Sequence, residues 1–151
     1  MIRFITKKLG ANWTTPVNLP GAVNSFHWET QPSLSSDGKT MYFTRNNFIE
    51  GKKQSDSNKI THLKIYKAQL VNNEWTNISE LPFNSKTYST EHPALSPDEK
   101  KLYFSSDMSG GIGSFDIYVV TINSDGTYGA PQNLGATINT EQREQFPFIS
   151  S

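Results

Sequence analysis

The chain writes one passage twice. Residues 31–46 read QPSLSSDGKTMYFTRN and residues 92–107 read HPALSPDEKKLYFSSD. Pro32 and Pro93, Leu34 and Leu95, Ser35 and Ser96, Asp37 and Asp98, Tyr42 and Tyr103, and Phe43 and Phe104 fall in register without a gap. Other landmarks recur around them: WTTPVNLP from Trp13, WTNISELP from Trp75 and YGAPQNLG from Tyr128. Each leads, after 18 or 19 residues, to a proline: Pro32, Pro93 and Pro147. A period of this size belongs to propellers and solenoids, whose units bury their faces only against one another.

One unit holds four strands. In the second copy they are PALS, KLYFSS, FDIYVVTI and a stretch around APQNLG, the counterpart of WTNISEL in the first. Between the first two strands lies S-S-D-G or S-P-D-E. Aspartate there bonds back to the backbone and glycine accepts a left-handed conformation. Glu99 stands where Gly38 does, so strain is expected in the second copy. INSDGTYG supplies a further Asp-Gly turn before the fourth strand. Apolar residues nowhere recur at helical spacing. The third strand puts Phe115, Ile117 and Val119 on one face and Tyr118, Val120 and Ile122 on the other. Two apolar faces require cover on both sides, which radially packed blades provide. The expected fold is therefore all-β: β-propeller repeats, with two complete four-stranded antiparallel blades and partial blades at both ends. The boundaries read as 1–24 for the end of a preceding blade and 25–85 for a blade with a loop insertion at 46–62. A second blade follows at 86–140, and 141–151 is the first strand of another, so the chain reads as a piece of a longer propeller.

The pattern P-x-L-S-P-D-G-K-x-L-Y-F-S-S-D followed by a glycine loop and F-D-I-Y resembles the WD-like propeller repeat of the TolB type. SSDMSGGIGSFDIYVV is most similar to blades of Gram-negative envelope proteins, which often carry an OmpA-like peptidoglycan-binding domain. This chain contains no OmpA-like segment, so peptidoglycan binding does not carry over. The resemblance implies a periplasmic, outer-membrane-associated or secreted setting, and no signal peptide is read at residues 1–8.

Composition excludes several classes. Lys+Arg 14 against Asp+Glu 14 gives no electrostatic case for nucleic acid or an anionic membrane. Zero cysteines exclude disulfides, cysteine zinc sites and thiol catalysis. No apolar run approaches the roughly 20 residues of a transmembrane helix. G-x-S-x-G and H-E-x-x-H are missing, and His27, His62 and His92 lack metal spacing. Gly111-Ile112-Gly113 leads into a strand rather than a helix, so it is no phosphate cradle. Gly38 directly after Asp37 breaks the sialidase Asp-box spacing.

In an antiparallel blade the loops leading into strand one and those joining strands two and three open on one face. That face should gather Trp28, Glu29 and Gln31, then Glu91 and His92, then Arg143, Glu144 and Gln145. These groups suit a peptide or a glycan, but capping of strand ends and bonding of neighbouring backbone is the favoured reading of them. Asp107 and Asp116 flank MSGGIGSF and are weak calcium candidates, because calcium takes about 6 to 8 oxygens and few are near. Asp116 fits a turn-forming role better. The insertion NNFIEGKKQSDSNKITH carries Lys52, Lys53 and Lys59 and reads as a mobile surface loop. The expected function is a non-enzymatic binding or scaffold module of a larger bacterial envelope protein, with no cofactor. Its partners would be a protein or a glycan and the remaining blades of a longer chain. The alternatives are a substrate-gating accessory of a serine peptidase and part of a secreted glycan-active enzyme.

Overall fold

The computed structural model describes residues 4–25, 28–49 and 52–150. His27, the middle of the insertion at 50–51 and Ser151 lie outside them. The described chain is all strand and turn. Two short pairs come first: β1 (Phe4–Ile5) with β4 (Val17–Asn18), and β2 (Lys8–Leu9) with β3 (Asn12–Trp13). The first four-stranded sheet comprises β5 (Glu29–Leu34), β6 (Thr40–Asn46), β9 (Leu63–Val71) and β10 (Glu74–Glu80). The insertion supplies β7 (Phe48–Ile49) and β8 (Lys52–Lys53), paired with each other. The second sheet comprises β11 (Thr90–Leu95), β12 (Lys101–Ser106), β13 (Asp116–Thr121) and β14 (Gln132–Asn133). Both sheets are antiparallel meanders with neighbouring strands in chain order, which is the blade plan the repeat demanded.

The repeated turns are built from the same hydrogen bonds. Ser35 Oγ donates to Asp37 Oδ1 at 2.6 Å while the amide of Lys39 donates to the same oxygen at 2.9 Å. Ser96 Oγ and the Lys100 amide repeat this on Asp98 Oδ1 at 2.6 and 3.1 Å. Gly38 has φ 68° and Glu99 φ 58°, so the expected left-handed glutamate is real. A left-handed non-glycine residue costs about 1–2 kcal/mol. Glu99 offsets part of this by accepting from the amide and hydroxyl of Ser36, at 2.7 and 2.6 Å, in the other blade.

Strand one is bulged in both blades. Gln31 and Pro32 together oppose Phe43, and His92 and Pro93 together oppose Phe104. Proline is tolerated at such a site, where the ladder is already broken. The residue before each proline is left-handed: Gln31 at φ 50°, His92 at 55° and, in the third copy, Phe146 at 56°. Residues 141–150 carry a single parallel bridge, Arg143 to Phe115, and no strand. The first strand expected there has no neighbouring strand to complete it among the described residues.

Two apolar clusters hold the blades. One lies between them and combines Tyr42 and Ile65 of the first with Leu102, Phe104, Tyr118 and Val120 of the second. Leu81 and Phe83 of the connecting segment plug it, with Phe83 stacked on Phe104 at 4.8 Å. The other cluster is the repeat equivalent on the opposite side of the first blade: Leu19, Val23, Met41, Phe43, Ala68 and Trp75. An asparagine closes each blade exit by imitating a strand. Asn84 accepts from the Ile65 amide at 3.1 Å and donates to its carbonyl at 2.7 Å. Asn139 does the same to Ile117, at 2.8 and 3.1 Å.

One charge is inverted between copies. Asp116 receives Asn133 Nδ2 at 2.7 Å, whereas the equivalent Lys64 donates to Glu80 Oε1 at 2.6 Å. Both partners changed together, so the contact survives the swap. The fourth strand of the second blade is only two residues long, because Pro131 has no N–H to offer the ladder.

Candidate functional site

The bulge and the left-handed residue decide what reaches the face where strand one begins. In the second blade the structure brings Glu91, His92, Arg143 and Gln145 together, as the sequence suggested. Glu91 is 2% exposed, and its Oε1 accepts from Arg143 Nη2 at 3.1 Å and from Gln145 Nε2. Arg143 also lies over the Phe115 ring, 3.9 Å from its centroid. These partners take the place of the water that a buried carboxylate loses.

His92 follows directly. Its amide donates to Thr44 Oγ1 of the first blade at 2.9 Å, and its ring stacks on Phe146 with centroids 3.9 Å apart. Nδ1 is 3.7 Å from Glu91 Oε1, too long for a hydrogen bond, and finds no partner among the described residues. Burial lowers the His92 pKa below the usual imidazole value, Glu91 opposes this and Arg143 adds to it. The ring is therefore neutral near pH 7, and the 3.7 Å approach is not an ion pair.

Glu29 forms the corresponding clasp of the first blade, one repeat position earlier than Glu91. It is fully buried, accepts from Arg45 Nε at 3.1 Å and receives the Ser25 hydroxyl. Arg45 also donates to the Val23 carbonyl at 2.9 Å and lies over the rings of Phe43 and Tyr66. Glu29 and Glu91 are thus spent on joining segments of the fold, and substituting them would remove structure along with any binding. Glu144 is also occupied: it caps the turn at Thr140, accepting from the hydroxyl at 2.5 Å and the amide at 3.1 Å. Trp28 and Gln31 remain at the surface, Trp28 at 70% exposure. No hydrogen bond or ring contact joins those two to the His92 cluster. Sequence reasoning missed Arg45, Phe115 and Phe146. Phe146 had a signal, since it precedes Pro147 as His92 precedes Pro93.

The loops of this face do meet as an antiparallel blade requires. The Ser114 amide donates to the Gln142 carbonyl and the Glu144 amide to that of Phe115, both at 2.9 Å. Gly113 lies so close that a Cβ would strike the carbonyl oxygens of Gln142 and Thr140. Asp107 and Asp116 serve different partners: Asp107 accepts from the Ser89 amide at 2.6 Å, while Asp116 accepts from the amides of Ile112 and Gly113 at 2.6 and 2.8 Å. Burial raises the Asp116 pKa, but the hydrogen bonds from Ile112, Asn133 and Gly113 outweigh it and hold the carboxyl low. Among the described residues no group of three or more metal-ligating side chains assembles.

The insertion is held at several points. Its described residues form the β7–β8 hairpin and an Asp56 turn that takes the amides of Asn58 and Ile60 at 2.9 and 2.8 Å. Asp56 then meets His62 Nε2 at 3.1 Å, and His62 Nδ1 meets Ser89 Oγ at 3.3 Å. This acid–imidazole–hydroxyl string is an anchor rather than a nucleophile. Ser89 is 7% exposed and its Oγ is occupied by the Leu63 amide at 3.2 Å, leaving no approach for a substrate.

No family model matches the chain, and no curated protein matches it. Among solved structures it is similar to a puromycin-hydrolysing peptidase of Mycobacterium tuberculosis, with 16% identity and a TM-score of 0.53. That match covers 87% of this chain and 23% of the peptidase. A putative TolB from Agrobacterium tumefaciens is similar at 18% identity and a TM-score of 0.48, over 87% of this chain and 41% of the other. The chain thus spans under half the length of either protein, and the first likeness concerns the fold alone: antiparallel four-stranded blades of the propeller kind.

Proposed function

We propose that the chain is a non-enzymatic binding and scaffold module of a larger bacterial envelope protein, recognising a protein or a glycan at the face where strand one begins. One observation carries this reading. The carboxylates of that face, Glu29 and Glu91, are buried and neutralised by Arg45 and Arg143, while Trp28, the Arg143 side chain at 49% and Phe146 at 57% stay open to solvent. Glycoside hydrolysis needs two carboxyl groups flanking the scissile bond, and two locked glutamates do not fill that role. Flat rings and a guanidinium suit stacking and hydrogen bonding without turnover.

The test is a glycan and peptide array probed with the purified chain. Hits on this face weaken in Trp28→Ala and Gln31→Ala at an unchanged melting temperature, since exposed substitutions usually stay within about ±0.5 kcal/mol. Binding that is lost instead on altering the turns at Asp37 and Asp98 puts the site on the opposite face. Hydrolysis of a bound glycan overturns the non-enzymatic reading.

A further inference from the structure

The outer edges of the two blades differ at one repeat position. In the first blade Pro20–Ala22 runs alongside Trp75 as an extra parallel pairing: Trp75 N–H donates to the Pro20 carbonyl at 3.1 Å and Ala22 N–H to the Trp75 carbonyl at 3.0 Å. Gly21 sits at the closest approach, φ 88°, where a Cβ would run into the Trp75 backbone. Tyr128 is the repeat equivalent of Trp75. Its neighbours bond inward, Asn123 N–H to the Thr127 carbonyl and Gly129 N–H to that of Thr121, both at 2.9 Å. The N–H and C=O of Tyr128 therefore face outward, as those of Trp75 do, but no described backbone meets them.

The cause is readable in the connecting segments. Asn24 lies five residues after Leu19 and Asn139 five after Leu134, but Asn84 lies only three after Leu81. The short connection takes Leu81 and Phe83 straight into the core, Phe83 preceding Asn84 as Val23 precedes Asn24, and leaves no counterpart of Gly21–Ala22. A groove of about 300 Å³ is left between Pro82, Phe83 and Tyr88 on one side and Tyr128 to Pro131 on the other. Both tyrosine hydroxyls are already engaged, Tyr88 on the Phe83 carbonyl at 3.0 Å and Tyr128 on Tyr42 at 3.1 Å. The groove offers rings, prolines and the outward N–H and C=O of Tyr128.

We propose that this groove binds an extended peptide by strand addition, parallel to the outer strand and with glycine opposite Tyr128. The chain's own Leu19–Ala22 segment is the template for the occupant. Main-chain bonds to Tyr128 hold it, the rings of Phe83 and Tyr88 cover its flank, and the glycine requirement follows from the close approach seen at Gly21. The site is on the outer rim and does not depend on the face described above.

The probe is acetyl-Leu-Pro-Gly-Ala-amide titrated into the full chain, read by amide NMR and hydrogen exchange. Before addition, the Tyr128 amide exchanges faster than that of Trp75; equal protection of the two removes the premise. Binding on the order of millimolar is expected of so short a peptide, with slowed exchange at Tyr128. Replacing the peptide's glycine by alanine, or methylating its terminal alanine nitrogen, weakens binding about tenfold or more, the loss of a backbone hydrogen bond. Inserting Gly-Ala between Pro82 and Phe83 lets the chain fill its own groove and abolishes binding. An alanine peptide that binds as well as the glycine peptide, a silent Tyr128 amide at about ten times the expected dissociation constant, or stronger shifts from a maltooligosaccharide than from the peptide would each overturn the proposal.

Discussion

The two apolar clusters are the same repeat feature met in two surroundings. Phe43 and Phe104 are both fully buried, and Leu19 with Val23 plugs one cluster as Leu81 with Phe83 plugs the other. Only the cluster between the blades also receives Tyr42 and Ile65 from a preceding blade. Its counterpart opens instead into an apolar groove of about 110 Å³ bounded by Phe4, Leu34, Met41 and Trp75. Position in the repeat therefore sets which way a side chain points, and the neighbouring unit sets whether it is buried. Val23 is 0% exposed and Ile138, its equivalent, 53%.

The largest expected effect lies inside the closed cluster. Phe104→Ala should cost about 3–5 kcal/mol in urea unfolding, for the lost ring and the cavity it leaves between Phe83 and Tyr118. Similar stability of variant and parent would mean that this cluster is not the joint between the blades.

Next comes the inverted charge. Lys64 is buried and Glu80 is 40% exposed, so removing the lysine strands a carboxylate that water can partly reach. Lys64→Asp should cost about 2 kcal/mol, below the roughly 3–5 for a fully buried pair. Adding Glu80→Asn rebuilds the Asp–Asn contact of the second blade and should restore most of the loss. Strict additivity in the double-mutant cycle would deny the equivalence of the two pairs.

Val23→Ala should cost about 1.5 kcal/mol and Ile138→Ala almost nothing, although both hold the same repeat position. Equal costs would show that the two segments are buried alike.

The smallest effect is a pH dependence. The folded pKa of His92 is lowered, so the unfolded state binds the extra proton first. Its contribution is whole above pH of about 6.5 and is lost as pH falls from there through the folded pKa. Asp37 and Asp98 are held low by the hydroxyls of Ser35 and Ser96, and their contribution disappears only as pH falls through the carboxylate range. His92→Gln, the residue type of the equivalent Gln31, should flatten the upper part of this curve and leave the lower part intact.

Much of the fold was legible because its signals are local. The Ser-x-Asp turn closes within six residues, and KLYFSS is β12 to the residue. Of the candidate residues, Glu91, His92, Arg143 and Gln145 assemble as a group, whereas Trp28 and Gln31 stand apart and Glu144 caps its own turn. No local pattern shows that Glu29 and Glu91 are buried, because their partners are remote in sequence: Arg45 lies 16 residues from Glu29 and Arg143 lies 52 from Glu91. Such a clasp forms only once two segments are docked. Glu91 and His92 are buried, so substituting either costs stability as well as any binding. Tyr128 packs on Phe83 and bonds Tyr42 across the blades, contacts 45 and 86 residues away in sequence that no local pattern announces. In the insertion, the polar composition gives no sign of the Asp56–His62 contact, which depends on Ser89 of the next blade.

Native-state hydrogen exchange across a urea series tests most directly whether the shared cluster makes the two blades one body. Amides of β6, β9, β12 and β13 should open together at a single free energy, and those of the hairpin spanning residues 4–18 should open well below it. If the first blade opened at a separate, lower free energy while the second stayed closed, Tyr42 and Ile65 would not be working as part of one core with Leu102 and Phe104.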